Sequence, residues 1–412
     1  MSASDRDFHI VLWGASGFTG RLVAEYLLEK YGSGGTLRWA LAGRNQAKLE
    51  AVRDGIGASA EALPILLADA DDEASLAELV ARARVICTTV GPYAKYGSKL
   101  VAVCARSGTH YCDLTGEVHW IRRMIDAHQD EALASGARIV PTCGFDCIPS
   151  DLGAFFLQNE MQSRHGVSAD YIKYRVKGFS GGASGGTIAS MLHMMEEAGS
   201  DPEVMRVMNE PYSINPKGQR TGPDRAERFV PAYDEDFQQW TAPFVMAGVN
   251  TKVVRRTNAL LGHAYGAEFR YDEATLTGPG PLGFAKGVAV TAGLSAFMGA
   301  FAVGPIRRAL SGWLPSPGEG PSKQKRDDGY FDIRLWARHP SQPTRNLRGR
   351  ITGDRDPGYG STSKMLGESA VCLALDPVKV DGGFWTPAAA MGELLLARLQ
   401  ENAGLRFTIE QR

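Results

Sequence analysis

The sequence lacks a charge excess: 45 Lys and Arg stand against 46 Asp and Glu, for a net charge of −1. Bulk charge therefore gives no reason to expect a nucleic-acid partner. There is no C-x-x-C pair among Cys87, Cys104, Cys112, Cys143, Cys147 and Cys372, and no H-E-x-x-H among the eight histidines. Neither a zinc site nor any other metal site is expected, and free thiols suit a reducing cytoplasm. The first apolar run, Ile10 to Trp13, is too short for a signal-peptide core, which also points to the cytoplasm. No Ser-His-Asp arrangement can be read from the spacing. What the chain has in plenty is glycine, 48 residues in 412, and the positions of these glycines carry the reading. The length suits two domains with a sizeable core.

Phe8–Trp13 reads as a buried strand running into Gly14-Ala-Ser-Gly17-Phe-Thr-Gly20 and then an amphipathic helix from Arg21 to Tyr31. Gly14 permits a tight turn, Gly17 a close approach to a pyrophosphate, and Gly20 packing of helix on strand. Ser16, Phe18 and Thr19 supply N–H groups at the helix start. A second strand, Leu37 to Ala42, ends in Gly43-Arg44, where a ribose 2′-hydroxyl would call for an acid. Arg44 instead matches a 2′-phosphate, so NADP is expected over NAD. Further strands are expected at 63–68, ending at Asp69 near the adenine, and at 84–90, ending in Thr89-Val-Gly91-Pro92-Tyr93. Two more are expected at 109–114 and 137–141. With helices between, this is an α/β Rossmann domain, a doubly wound parallel sheet over residues 1–150. A second α/β (α+β) domain for substrate binding and dimerisation fills 151–412. Helices at about 358–402 are free to pack back on the first domain.

These blocks, with Tyr111-Cys-Asp-Leu-Thr-Gly-Glu117, Gly144-Phe-Asp-Cys-Ile-Pro-Ser-Asp151, Ser184-Gly-Gly-Thr187 and Gly358 to Glu368, resemble the saccharopine dehydrogenase-like oxidoreductases. Within that group the chain looks most like the trans-acting enoyl reductase branch of mycobacterial lipid synthesis. The resemblance implies a nicotinamide cofactor and reduction of a carbon–carbon double bond on a hydrophobic or carrier-bound lipid or polyketide precursor. An imine reductase of amino-acid metabolism is the alternative within the same chemistry. A membrane or lipid adaptor that keeps a nucleotide fold without turnover is the alternative outside it.

Hydride comes from the cofactor, so the protein must supply a proton and stabilise an enolate. Tyr93, Asp113 and Asp146 follow strands four, five and six and are the candidate acids, with Thr115 and Glu117 nearby. Each has a plain structural alternative, loop shaping for Tyr93 and helix capping for the aspartates.

In the second half, Gly181 to Gly186 opens a helix from Thr187 to Ala198 whose Met191, Met194 and Met195 are expected in the core. Residues 200–250 read as a long irregular excursion. Gly287 to Ile306 has no charge and precedes Arg307-Arg308. Its glycines argue for a buried or lipid-facing helical segment rather than a membrane span. Peripheral contact with the plasma membrane through about 282–308 is expected, as is a homodimer. Residues 307–350 carry ten Lys and Arg against four Asp and Glu, a local +6 that suits an anionic surface.

Overall fold

The structure, a computed structural model, describes residues 6–181, 185–302 and 320–410. The first half alternates without interruption. Strand β1 (Phe8–Trp13), helix α1 (Phe18–Tyr31), β2 (Trp39–Gly43), α2 (Gln46–Gly55), β3 (Ile65–Leu67), α3 (Glu73–Ala81) and β4 (Ala83–Thr88) come first. Then follow α4 (Tyr93–Tyr96), α5 (Ser98–Ser107), β5 (His110–Cys112), α6 (Val118–Ser135) and β6 (Arg138–Val140). The strands are short apolar runs because helices cover both faces of a parallel sheet. Ile10, Val11 and Leu12 are fully buried.

Helix α7 (Ile148–His165) leads into the second sheet. Its elements are β7 (Tyr171–Ser180), α8 (Gly185–Ser200), α9 (Pro202–Asn209), β8 (Ala232–Asp234), β9 (Gln239–Pro243), α10 (Ala247–Leu260), β10 (Arg270–Gly278) and α11 (Gly280–Ala302). After it come α12 (Lys323–Asp327), β11 (Tyr330–Arg338) and β12 (Leu347–Gly353). The chain closes with α13 (Thr362–Leu375), β13 (Gly383–Phe384), α14 (Pro387–Asn402) and β14 (Leu405–Ile409).

Two seven-stranded sheets result, with orders β13-β6-β5-β4-β1-β2-β3 and β14-β12-β11-β7-β10-β9-β8. The first is wholly parallel in its pairings, and the second mixes parallel β7–β10 with antiparallel neighbours. The fold is therefore α/β, a doubly wound sheet beside a mixed one. Strand β13 brings the C-terminal region into the first sheet beside β6, and α13 packs against α1, β1, β4 and β5.

Three expectations need correction. Residues 200–250 are not a structureless excursion: α9, β8, β9 and the start of α10 lie there. Their signal is weak because β8 is three residues long and Pro, Asp and Arg dominate the connections. Met191, Met194 and Met195 are half-buried rather than core. The apolar helix begins about two turns earlier, at Gly280, and it lies on the surface, so of the buried and lipid-facing placements expected the buried one is excluded. Val303 to Arg308 and residues 182–184 lie outside the described residues. All six cysteines are buried and free.

Candidate active site

The carboxyl ends of β1, β2, β3 and β4 form one rim, and the chain reverses strand order between β1 and β4. In open α/β sheets a ligand sits outside the strand ends at such a switch point. The glycine turn occupies that place. Gly14 has φ +86°, and a Cβ there would lie 2.5 Å from Val90 Cγ2. A Cβ on Gly20 would meet the Gly14 carbonyl oxygen at 2.1 Å, so α1 seats directly on the turn. Gly17 differs: its Cβ would meet only that same oxygen, at 3.3 Å, and otherwise faces open space.

Helix α1 starts at Phe18, three residues earlier than its amphipathic pattern suggests. Gly17 caps it without a side-chain hydrogen bond, and the first turn has no acid. The N–H groups of Phe18, Thr19 and Gly20 are thus directed at an uncapped helix start, beside exposed Ser16. This is the arrangement that binds a pyrophosphate. Thr89 Oγ1 donates to the Gly14 carbonyl at 3.2 Å, tying the loop after β4 to the turn. That loop continues through Gly91 and Pro92 across a cis peptide bond.

Arg44 ends β2, exposed, with no hydrogen bond or ion pair to any described residue. Asn45 beside it caps α2, its side chain accepting from the Lys48 N–H at 3.0 Å. Asp69 follows neighbouring β3, exposed, and accepts from the Asp71 N–H at 3.0 Å. The residues present fit NADP: a close-approach glycine, an uncapped helix start and an unpaired guanidinium just after β2, where the ribose lies in dinucleotide-binding folds.

Sequence reasoning missed a cover over this turn. The Phe18 ring meets Tyr359 edge-on at 5.2 Å, and the Arg326 guanidinium lies over it at 5.5 Å. Gly320 also presses on it, since a Cβ there would lie 2.4 Å from the ring. These partners are some three hundred residues away in the chain, so no local pattern announces them.

The three acid candidates separate sharply. Tyr93 is 3% exposed. Its hydroxyl donates to the Thr88 carbonyl at 3.3 Å and its ring packs on Trp120 at 5.5 Å. Burial pushes its phenol well above the ordinary tyrosine range. Asp113 is fully buried and fully used. It accepts from the Tyr111 hydroxyl at 2.7 Å, the Thr115 N–H at 2.9 Å and the Thr142 N–H at 3.0 Å. Its backbone oxygen also accepts from the Cys143 N–H at 2.6 Å. Asp113 therefore fastens the loop after β6 to the end of β5. Burial raises its carboxyl to about 6.

Asp146 stands in that fastened loop. It is half-buried and hydrogen-bonds to no described residue, and desolvation alone raises it to about 6. The loop is also held from the far end of the chain, where Thr362 Oγ1 accepts from the Phe145 N–H at 3.0 Å. Of the three candidates, Asp146 alone has a carboxyl left over for a ligand.

Glu117 is an anchor. Its carboxylate accepts from the Tyr93 and Ala94 N–H groups, both at 2.8 Å, and from the Ser190 hydroxyl of α8. Ser190 Oγ also lies 3.1 Å from where a Gly91 Cβ would stand. Helix α8 of the second sheet thereby comes down onto the loop after β4. Thr115 Oγ1 accepts from the Glu117 N–H at 3.1 Å, shaping the same corner. Among the described residues no group of His, Cys, Asp and Glu is arranged to hold a metal.

Comparison with known proteins agrees with this geometry. Residues 10–140 match the family profile described as the saccharopine dehydrogenase NADP binding domain. A Mycobacterium tuberculosis protein provisionally named a trans-acting enoyl reductase is 43% identical over 97% of each chain. The trans-acting enoyl reductase of Mycobacterium ulcerans is 39% identical, again over 97% of each. Among solved structures, saccharopine dehydrogenase (L-Glu forming) of Saccharomyces cerevisiae superposes with a TM-score of 0.53. It covers 98% of this chain and 99% of its own at 14% identity, a likeness of fold.

Proposed function

The chain belongs to the saccharopine dehydrogenase-like NADP-dependent oxidoreductases, in the branch of the trans-acting enoyl reductases, and from that membership we propose its reaction. The reaction is reduction of an activated carbon–carbon double bond on a hydrophobic, carrier-bound acyl substrate. The observation that carries this reading is that the relatedness runs through both sheets, including the second, where the substrate would be held.

NADPH, when bound, supplies hydride for the β-carbon. The chain's own residues do the rest. Gly17 and the start of α1 would hold the pyrophosphate, and Arg44 the 2′-phosphate. As the β-carbon gains hydride, negative charge develops toward the acyl oxygen and the α-carbon takes a proton. The Asp146 carboxyl, free and raised to about 6, is the group suited to hold that proton. Asp113 positions it by fixing the loop.

One feature favours this over reduction of an amino-acid imine. Substrate carboxylates call for converging, unpaired arginines. In the second sheet Arg175 is paired with Asp234 and Asp272, and Arg350 with Asp332. Arg255 on α10 is likewise taken up by Asp224 and Glu227. The six buried thiols suit a reducing, cytoplasmic setting.

The test is NADPH oxidation with an α,β-unsaturated acyl thioester. Turnover is expected, and Asp146→Asn should lower kcat about 100-fold or more while NADPH binding persists. Turnover of an imino acid in place of the thioester would overturn the reading. Because the proton-bearing form of Asp146 is lost as pH rises, wild-type kcat should fall above about pH 6.

A further inference from the structure

Helix α11 inverts the ordinary surface helix. Its protein-facing stripe is Gly283, Gly287, Thr291 and Leu294, mostly small residues at helical spacing. Gly287 rests against Thr277, Pro231 and the Thr241 carbonyl, where a Cβ would lie 3.3–3.4 Å from each. Most of the large apolar side chains are exposed. Leu282 is 68% exposed, and Val288, Val290, Phe297 and Met298 are exposed as well, while Phe284 is exposed beside the Trp240 ring at 4.7 Å. A helix that is apolar all round belongs in apolar surroundings.

The arc covered on the side away from that stripe decides among possible surroundings. At 3.6 residues per turn Val288, Leu282 and Val290 spread over about 200° of the circumference there. A second protein helix covers one stripe of such a surface, whereas a fluid apolar phase covers the whole arc. The polar atoms agree. Thr291 Oγ1 donates to the Gly287 carbonyl at 2.8 Å and Ser295 Oγ to the Thr291 carbonyl at 2.9 Å, so neither hydroxyl needs water. Charge agrees too. No Asp or Glu occurs between Glu273 and Glu319, while Lys286, Arg307 and Arg308 are basic. Anionic headgroups favour such a segment.

A single transmembrane crossing by α11 does not fit the sheet. The strands on either side of the helix in the chain, β10 and β11, both pair with β7. A helix crossing a hydrocarbon core of about 30 Å would put them on opposite sides.

We propose that α11 lies in one leaflet of an anionic membrane, anchoring the protein at the surface without spanning it. Lys286 reaches up to the headgroups along its own stem. Because α11 packs on α8, whose Ser190 meets Glu117 and Gly91, the anchored helix adjoins the mouth of the cofactor site. A hydrophobic substrate then has a short path from the lipid.

The full chain is mixed with vesicles of phosphatidylcholine containing phosphatidylglycerol and floated on a density gradient. The protein should float, and the exposed-face variant Leu282→Asn/Val290→Asn/Met298→Asn should lose at least 10-fold in vesicle affinity with NADPH binding and melting temperature unchanged. No flotation, or flotation that the variant keeps, overturns the proposal. So does a dimer in sedimentation that the same variant converts to monomer, since a second copy then covers the helix. NADPH binding is read on the same samples, so failure of the membrane contact is distinct from failure of the enzymatic reading.

Discussion

At the scale of single residues, the glycine turn separates fold from function. Gly20 and Gly17 are both conspicuous in the sequence, yet they do different work. A side chain at Gly20 collides with backbone, whereas one at Gly17 meets little but open space. Gly17→Ala should therefore leave the melting temperature within a degree or two and weaken NADPH binding by at least 10-fold, measured by fluorescence titration. Arg44 is the second such position. A lone exposed guanidinium contributes to binding only if the 2′-phosphate is there to meet it. Arg44→Asp is expected to weaken NADPH by about 100-fold while leaving NADH within about 3-fold, read from the two dissociation constants. The acid candidates are the counterexample. Tyr93, Asp113 and Asp146 look equivalent in the sequence, because each follows a strand of the same sheet. Only their contacts distinguish them: hydrogen bonds with Thr88, Tyr111, Thr115 and Thr142, and the Trp120 ring packed on Tyr93.

At the scale of elements, buried acids clamp the second sheet to its helices. Glu273 on β10 accepts from Asn250 of α10 at 2.9 Å and from the Tyr271 hydroxyl at 2.8 Å. Burial raises its carboxyl to about 8. The folded state thus holds a proton that the unfolded chain releases near the ordinary glutamate value. Its contribution is fully present below that value and is lost as pH rises toward 8. Melting temperature should accordingly fall from about pH 5 to about pH 8, and Glu273→Gln should flatten that slope, as differential scanning calorimetry would read it. Strands β7 and β11 are legible in the sequence, since both are long and alternate or run apolar. It missed β10 and α10. Arg255 and Arg256 make α10 look like a surface helix, although both are buried: Arg255 against Asp224 and Glu227, and Arg256 on the carbonyls of Ile214 and Phe384.

At the scale of the whole molecule, the C-terminal region locks the cofactor domain. Glu368 of α13 is fully buried. It accepts from the hydroxyls of Tyr26 and Tyr31 on α1, both at 2.5 Å, and pairs with Arg398 of α14 at 3.2 Å. Asp151 of α7 likewise holds Thr257 of α10 and accepts from the Ala388 N–H of α14 at 2.8 Å. Glu368→Ala should cost about 3 kcal/mol, because it strands two phenols and half of the Arg398 pairing in the interior. Urea denaturation would measure it, and NADPH affinity should weaken with it, since α1 starts at the glycine turn proposed to hold the pyrophosphate.

The sequence by itself determined the cofactor turn, the alternation of β1 to β6 with their helices, and the expectation of NADP. These rest on signals contained within a few residues: glycines at fixed spacing, apolar runs of strand length, and a strand end with Arg in place of an acid. The tertiary structure decided the rest. It chose Asp146 as the free carboxyl, set Tyr359, Gly320 and Arg326 over Phe18, and turned the large side chains of α11 outward. It also carried residues 383–384 back into the first sheet. Each of these depends on partners far apart in the chain, and hydrogen bonding and burial between distant segments leave no local period to read.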